Sequence, residues 1–240
     1  MGDVREVGGV TIASSGAAFQ MFNAAFLSSP VDAAAGDLER RILTAKVHFD
    51  ARALGWSFWI CEDLLAAGIR KRAEQVFTRY DLHLAVQLPG MAAARLLPPR
   101  RKLPSIEIRR VEDEATRTAF CDIGCTCFHV PVRWFREIFF TEHVWRGGFV
   151  GYVGYTDGEP VATAATVTAA GAIGVYNVAT VPAHRRRGFG EAVMRHAIDA
   201  AHRESGEERT ILQATEHGLH LYLSMGYKVV TNVAVYASRD

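Results

Sequence analysis

The run Val178-Ala-Thr-Val-Pro-Ala-His-Arg-Arg-Arg-Gly-Phe-Gly-Glu-Ala192 constrains this chain most, because it carries an apolar strand through a short basic loop directly into a helix. Gly188 and Gly190 remove side chains where they would block a ligand. The N–H groups of residues 187–191 are then free to point at an anion, and the helix that starts there adds the positive end of its dipole. The run reads as a phosphate cradle. It is not a Walker A loop, since no Lys-Ser or Lys-Thr follows the second glycine, and it has too few glycines for the dinucleotide fingerprint. Taken alone, the same residues also suit a glycine-softened helix start beside a basic surface patch.

The rest of the chain supplies a globular setting. It has 240 residues, 49% hydrophobic and 22% charged, which excludes a disordered or fibrous protein and leaves room for two domains. Lys and Arg number 27 against 26 Asp and Glu, so no overall field draws the protein to nucleic acid or an anionic membrane, and any anion site must be local. Neither is expected as a partner. Two uncharged stretches, 7–31 and 160–184, have the length of export or membrane signals but not their pattern. The first lacks a positive n-region and is diluted by glycine and serine, and the second is interrupted by Thr163, Gly171, Asn177 and Pro182. Four cysteines are too few for a disulfide scaffold, which points to a reducing cytoplasm.

Leu97-Pro-Pro-Arg-Arg-Lys-Leu-Pro104 interrupts every periodic pattern and reads as a linker, giving a first domain over 1–100 and a second over 105–240. In the second, the patterns predict a strand over 105–111, helices from 112 to about 143 broken at Pro131, and strands over 148–155, 161–169 and 173–181. A helix over 190–203, a strand over 210–214, a short helix through Met225 and a strand over 227–238 follow. Upstream, a helix over 37–54, a strand over 56–61, a helix over 63–80 and a strand over 82–88 repeat the order helix, strand, helix, strand. This suggests a diverged internal duplication.

The spacing Arg185-x-x-Gly188-x-Gly190 after the strand Tyr176-Asn-Val-Ala-Thr-Val181 resembles motif A of the GNAT superfamily of acyl-CoA-dependent N-acyltransferases. Downstream, Leu212-Gln-Ala-Thr215 followed by Leu221-Tyr-Leu-Ser-Met-Gly-Tyr227 resembles that family's motif B, and the likeness covers about 105–238. It implies an α/β fold with a mixed, mostly antiparallel sheet flanked by helices, preceded by a smaller α/β domain of similar type that lacks a phosphate loop. It further implies that acetyl-CoA is the acyl donor, its pyrophosphate on the N–H groups of Arg186, Arg187, Gly188, Phe189, Gly190 and Glu191, with Arg185 to Arg187 adding positive charge. The strand residues Val178, Ala179 and Thr180 would splay at a bulge and bond the pantetheine arm, with an N–H near Val178 facing the thioester carbonyl. Tyr222 would act as general acid toward the departing thiolate, because acyl transfer builds negative charge first on oxygen and then on sulfur. By itself Tyr222 would read as a half-buried helix aromatic, and Gln213 as an exposed strand end.

The base that takes the amine proton stays open among Glu107, His129, Glu142, His143 and a water chain, since Gly174 to Asn177 offer no carboxylate. The cluster Cys121, Cys125, Cys127 and His129 lacks paired zinc-ligand spacing, so no metal is expected and core packing is the leading reading. Aromatic residues between Phe128 and Trp145 are core candidates, some of which could shape an apolar acceptor pocket. The resulting expectation is a cytoplasmic N-acetyltransferase acting on the amine of a small molecule by direct attack in a ternary complex. A non-catalytic acyl-CoA-binding sensor and a protein lysine acetyltransferase are the alternatives. The first domain would cover the acceptor site or form a homodimer contact.

Overall fold

The uncharged run near the N-terminus, for which no element was expected, folds into strands. β1 (Asp3–Val7) and β2 (Val10–Ser14) form a hairpin closed by a two-residue turn at Gly8 and Gly9, and β3 (Asn23–Leu27) lies antiparallel to β2. α1 (Asp37–Asp50) and β4 (Ser57–Cys61) come next, with β3 and β4 paired in parallel. Then follow α2 (Ala67–Arg70), α3 (Ala73–Thr78) and β5 (Leu82–Ala93). The single helix expected over 63–80 is thus broken, by an extended backbone at Leu65 and by a turn at Lys71 and Arg72. Leu65, Ile69, Ala73, Val76 and Phe77 still reach the core, so a helical period survives in the sequence across the breaks.

The computed structural model describes residues 2–32 and 36–239. They divide into two units, residues 1–90 with 229–240 and residues 91–228. The division therefore differs from the break expected at 97–104: it falls inside β5, and the last strand, β11 (Lys228–Ser238), contributes to the first unit. Long-range pairing is the reason. β11 runs antiparallel to β4 from Val233 opposite Cys61 to Ala237 opposite Ser57, and Tyr236 stacks on Phe77 at 4.1 Å. Strands of the first unit run in the order β1-β2-β3-β4-β11-β5.

The second unit contains β6 (Glu107–Arg110), α4 (Glu114–Phe128), α5 (Val132–Phe139), α6 (Glu142–Arg146) and β7 (Phe149–Thr156). It continues through β8 (Glu159–Ala169), β9 (Ala172–Thr180), α7 (Phe189–Ser205), β10 (Thr210–Gln213) and α8 (Glu216–Ser224). Its strands run in the order β10-β9-β8-β7-β6, antiparallel except for β9 with β10. α7 buries Val193, Met194, Ala197, Ile198 and Ala201, as its amphipathic spacing predicts.

Each unit therefore contains an antiparallel pair followed by a helix and a strand parallel to the second of the pair: β2-β3-α1-β4 in the first, β8-β9-α7-β10 in the second. The shared order matches the duplication suggested by the sequence. Rings of Phe120, Phe139, Trp145 and Phe149 pack on one another within 6.4 Å; between Phe128 and Trp145, Phe135 and Phe139 are buried, Trp134, Phe140 and Trp145 half-buried and Phe128 exposed. Among the described residues no helix is long and apolar enough to cross a membrane.

Candidate functional site

Two local irregularities open the second unit's sheet. β8 and β9 keep register from Ala162 opposite Thr180 to Thr163 opposite Ala179, then resume at Ala165 opposite Tyr176, so Asn177 and Val178 together face Ala164. This is a β-bulge. Asn177 adopts a left-handed backbone, and the buried Thr163 hydroxyl donates to its carbonyl at 2.8 Å, fixing the kink. On the other side, the parallel pairing of β9 with β10 is confined to Ile173 with Thr210 and Gly174 with Ile211. Beyond those pairs the strands part.

A cavity of about 770 Å³ lies in the opening, walled by Val178, Ala179 and Thr180 of β9, Gly188 to Glu191 at the start of α7, and Leu221 and Tyr222 of α8. Gly188 caps α7 with φ +92°, and the first helical bond runs from Ala192 N–H to the Gly188 carbonyl. The N–H groups of Phe189, Gly190 and Glu191 thus lack partners within the helix, at the positive end of a 17-residue dipole. A side chain at residue 190 would put its Cβ 2.7 Å from the Thr180 hydroxyl, so glycine lets the start of α7 lie this close to β9. The Glu191 carboxylate is held by Arg195 at 2.9 Å, which balances a negative charge beside the cradle.

Val178, Ala179, Thr180, Arg185, Arg186, Gly188, Phe189, Gly190, Glu191 and Tyr222 all line this one cavity. Arg187 does not. Its guanidinium lies 5.0 Å from the Phe189 ring centre and 3.2 Å from His184 Nδ1, so it braces the loop from outside. Arg185 donates from Nε to the Thr180 carbonyl at 3.1 Å, as does the Cys127 thiol at 3.3 Å. Tyr222 is only 7% exposed, and burial pushes its hydroxyl pKa up to about 12. Its ring packs edge-on against Tyr227, with centroids 5.9 Å apart.

Of the groups considered as a base, His129 lines the cavity, at the left-handed C-cap of α4. Glu107 is tied to Arg109 and Glu142 to Arg146, both on the surface. The cysteines separate: Cys121 is fully buried with its thiol pKa pushed up to about 12 by burial, whereas Cys127 reaches the cavity. Sequence reasoning passed over Arg101, His184, His217 and Gly218 as cavity residues. Proximity to the motifs could have flagged the last three; Arg101 carried no such signal.

The first unit has a counterpart that is closed. Gly36 caps α1 with φ +89° and ψ 0°, nearly the values +92° and 1° of Gly188. There, however, the carboxylate of Asp37 accepts the Asp32 N–H at 2.9 Å and pairs with Arg40 and Arg41. α1 supplies its own anion.

Residues 140–229 match the family model described as "Acetyltransferase (GNAT) domain". The whole chain superposes on a GCN5-related N-acetyltransferase from Kribbella flavida at 18% identity, covering 100% of this chain and 90% of that one with a TM-score of 0.75. A functionally unknown conserved protein from Staphylococcus epidermidis gives 12% identity, 100% and 94% coverage and a TM-score of 0.70. A GCN5-related N-acetyltransferase from Sphaerobacter thermophilus gives 15%, 96% and 76%, and 0.63. At these identities the likeness is one of fold, and it extends over both units. No match was found among curated proteins.

Proposed function

We propose, from the match of residues 140–229 to the GNAT acetyltransferase domain model, an N-acetyltransferase that moves an acetyl group from acetyl-CoA to the amine of a small molecule. The observation that carries this reading is the convergence of three elements on one cavity: the bulged strand at Val178, the open N-terminus of α7 and the buried Tyr222. The donor, when bound, supplies the acetyl group as an activated thioester. The residues fit such a ligand, because unpaired helix N–H groups and the side chains of Arg185 and Arg186 meet at one cavity.

The N–H groups of Phe189, Gly190 and Glu191 bind the pyrophosphate, assisted by Arg185 and Arg186 on the wall. The backbone of Val178 to Thr180 orients the pantetheine arm, and the bulge leaves a backbone group outside the ladder, free to face developing negative charge on the carbonyl oxygen. Tyr222 holds a proton at Oη for the sulfur that leaves.

Calorimetric titration with acetyl-CoA and CoA tests the donor site, with Gly190→Ala as the blocked control. Binding by the wild type, weakened at least tenfold in the variant, supports the cradle. An amine screen that reads free thiol, run beside Tyr222→Phe, then identifies the acceptor. Failure of the folded wild type to bind either ligand at millimolar concentration overturns the reading.

A further inference from the structure

The segment 97–104, which interrupts every pattern in the sequence, is fastened across the cavity's edge. At one end Leu97 N–H donates to the Met225 carbonyl at 2.8 Å, and its side chain covers Gly226, just past the end of α8, where a Cβ would sit 2.9 Å from Leu97 Cγ. At the other end Pro104 packs on Gly188, its Cδ 3.1 Å from the position a Cβ would take. Between these anchors Arg101 lines the cavity, with guanidinium nitrogens 3.6 Å and 3.8 Å from that same position at the cap of α7.

Arg101 has no carboxylate within ion-pair distance among the described residues. Arg186 also lines the cavity without an ion pair among the described residues, whereas two other cations near the loop are committed. Arg185 bonds the Thr180 carbonyl, and Arg187 is braced on Phe189 and His184. A guanidinium held without a counter-ion beside a cluster of unpaired helix N–H groups is an incomplete anion site, since its planar fork matches two phosphoryl oxygens.

We propose that Arg101 closes the cradle as a clamp on the pyrophosphate of the donor, beside the N–H groups of Phe189 to Glu191 at the cap of α7. The strap thereby becomes a cofactor-binding element, and Leu97 and Pro104 act as positioning residues that hold its cation in place. This rests on the donor reading above.

The test is calorimetric titration of the full chain with CoA and with 3′-dephospho-CoA, for the wild type, Arg101→Gln and Arg101→Lys. Loss of a charge-assisted contact predicts a Kd about 10- to 100-fold higher for Arg101→Gln, equally for both ligands, with partial recovery in Arg101→Lys. Thermal unfolding without ligand should match the wild type, because the side chain is exposed and makes no ion pair. Unchanged CoA affinity in Arg101→Gln overturns the clamp while leaving the donor site standing. An effect seen with CoA but not with 3′-dephospho-CoA overturns the pyrophosphate assignment, since the side chain would then contact the 3′-phosphate. If the wild type binds neither ligand, the donor reading itself falls and the clamp with it.

Discussion

Gly218 and Tyr222 lie one turn apart on α8, and the tyrosine ring fills the space a side chain at 218 would need: a Cβ there would sit 2.6 Å from Cε2 and 3.1 Å from the hydroxyl oxygen. Gly218→Ala must therefore push the ring aside or shift the helix, at a cost of about 1–3 kcal/mol in overpacking. We expect kcat to fall by roughly tenfold or more, since displacement by about an ångström is enough to misplace a catalytic group. The Kd for CoA should change little, because the N-terminus of α7 is untouched. Steady-state kinetics paired with calorimetry decide it; an unchanged kcat would show that the hydroxyl's position is immaterial.

Tyr222→Phe should lower kcat about a hundredfold to ten-thousandfold, the usual contribution of a positioned acid. The pH profile carries the sharper prediction. The hydroxyl can donate only while protonated, and burial pushes its pKa up to about 12, so it stays protonated as the pH rises to 10. Wild-type kcat should show no alkaline fall below that pH. A fall with an apparent pKa near 9 that vanishes in Tyr222→Phe would contradict the buried-acid assignment.

Legibility in the sequence followed the range of the interactions. The strand, loop and helix over 172–205 were readable because the glycines, the basic loop and the amphipathic spacing are local signals. The helix Tyr was readable only through its neighbours Leu221 and Gly226-Tyr227. The hairpin of β1 and β2 does carry a signal in its Gly8-Gly9 turn between alternating residues, Val10 and Ile12 being buried and Thr11 and Ala13 less so. Two features were out of reach. The return of β11 to the first unit depends on pairing with residues some 170 positions earlier, and Arg101 enters the cavity only because Leu97 and Pro104 find the glycines at 226 and 188.

The cysteines of α4 offer a chemical report on the cavity. Burial pushes the Cys121 thiol up to about 12, so at pH 8 about one molecule in ten thousand carries the reactive thiolate, and burial raises Cys125 as well. Cys127 faces the cavity. Iodoacetamide at pH 8 should therefore label Cys127 ahead of Cys125 and Cys121, and saturating CoA should suppress the labelling of Cys127 while leaving that of Cys61 in the first unit unchanged. Peptide mass spectrometry reads all four sites. Equal labelling of Cys127 with and without CoA would place the ligand elsewhere.

The closed counterpart in the first unit predicts a different dependence on acid. Burial alone would raise the pKa of Asp37, but the Asp32 N–H and the guanidinium groups of Arg41 and Arg40 outweigh it and hold the carboxyl below its ordinary value. A carboxyl depressed in the folded state contributes stability that is present above its ordinary pKa of about 3.8 and is lost as the pH falls through the folded value. Asp37→Asn should flatten that acid limb. Arg41 is 5% exposed and also donates to the carbonyls of Gly9, Ser29 and Pro30, so Arg41→Met removes three hydrogen bonds and one of the two guanidinium groups that pair with Asp37. Breaking a buried pair from one side costs about 3–5 kcal/mol, which should lower the unfolding midpoint of the first unit by roughly 10 °C or more. CoA affinity at 20 °C should survive, because the open cradle belongs to the second unit. Differential scanning calorimetry with and without CoA checks both statements, and a wild-type midpoint in Arg41→Met would show that the self-supplied anion does not hold α1 in place.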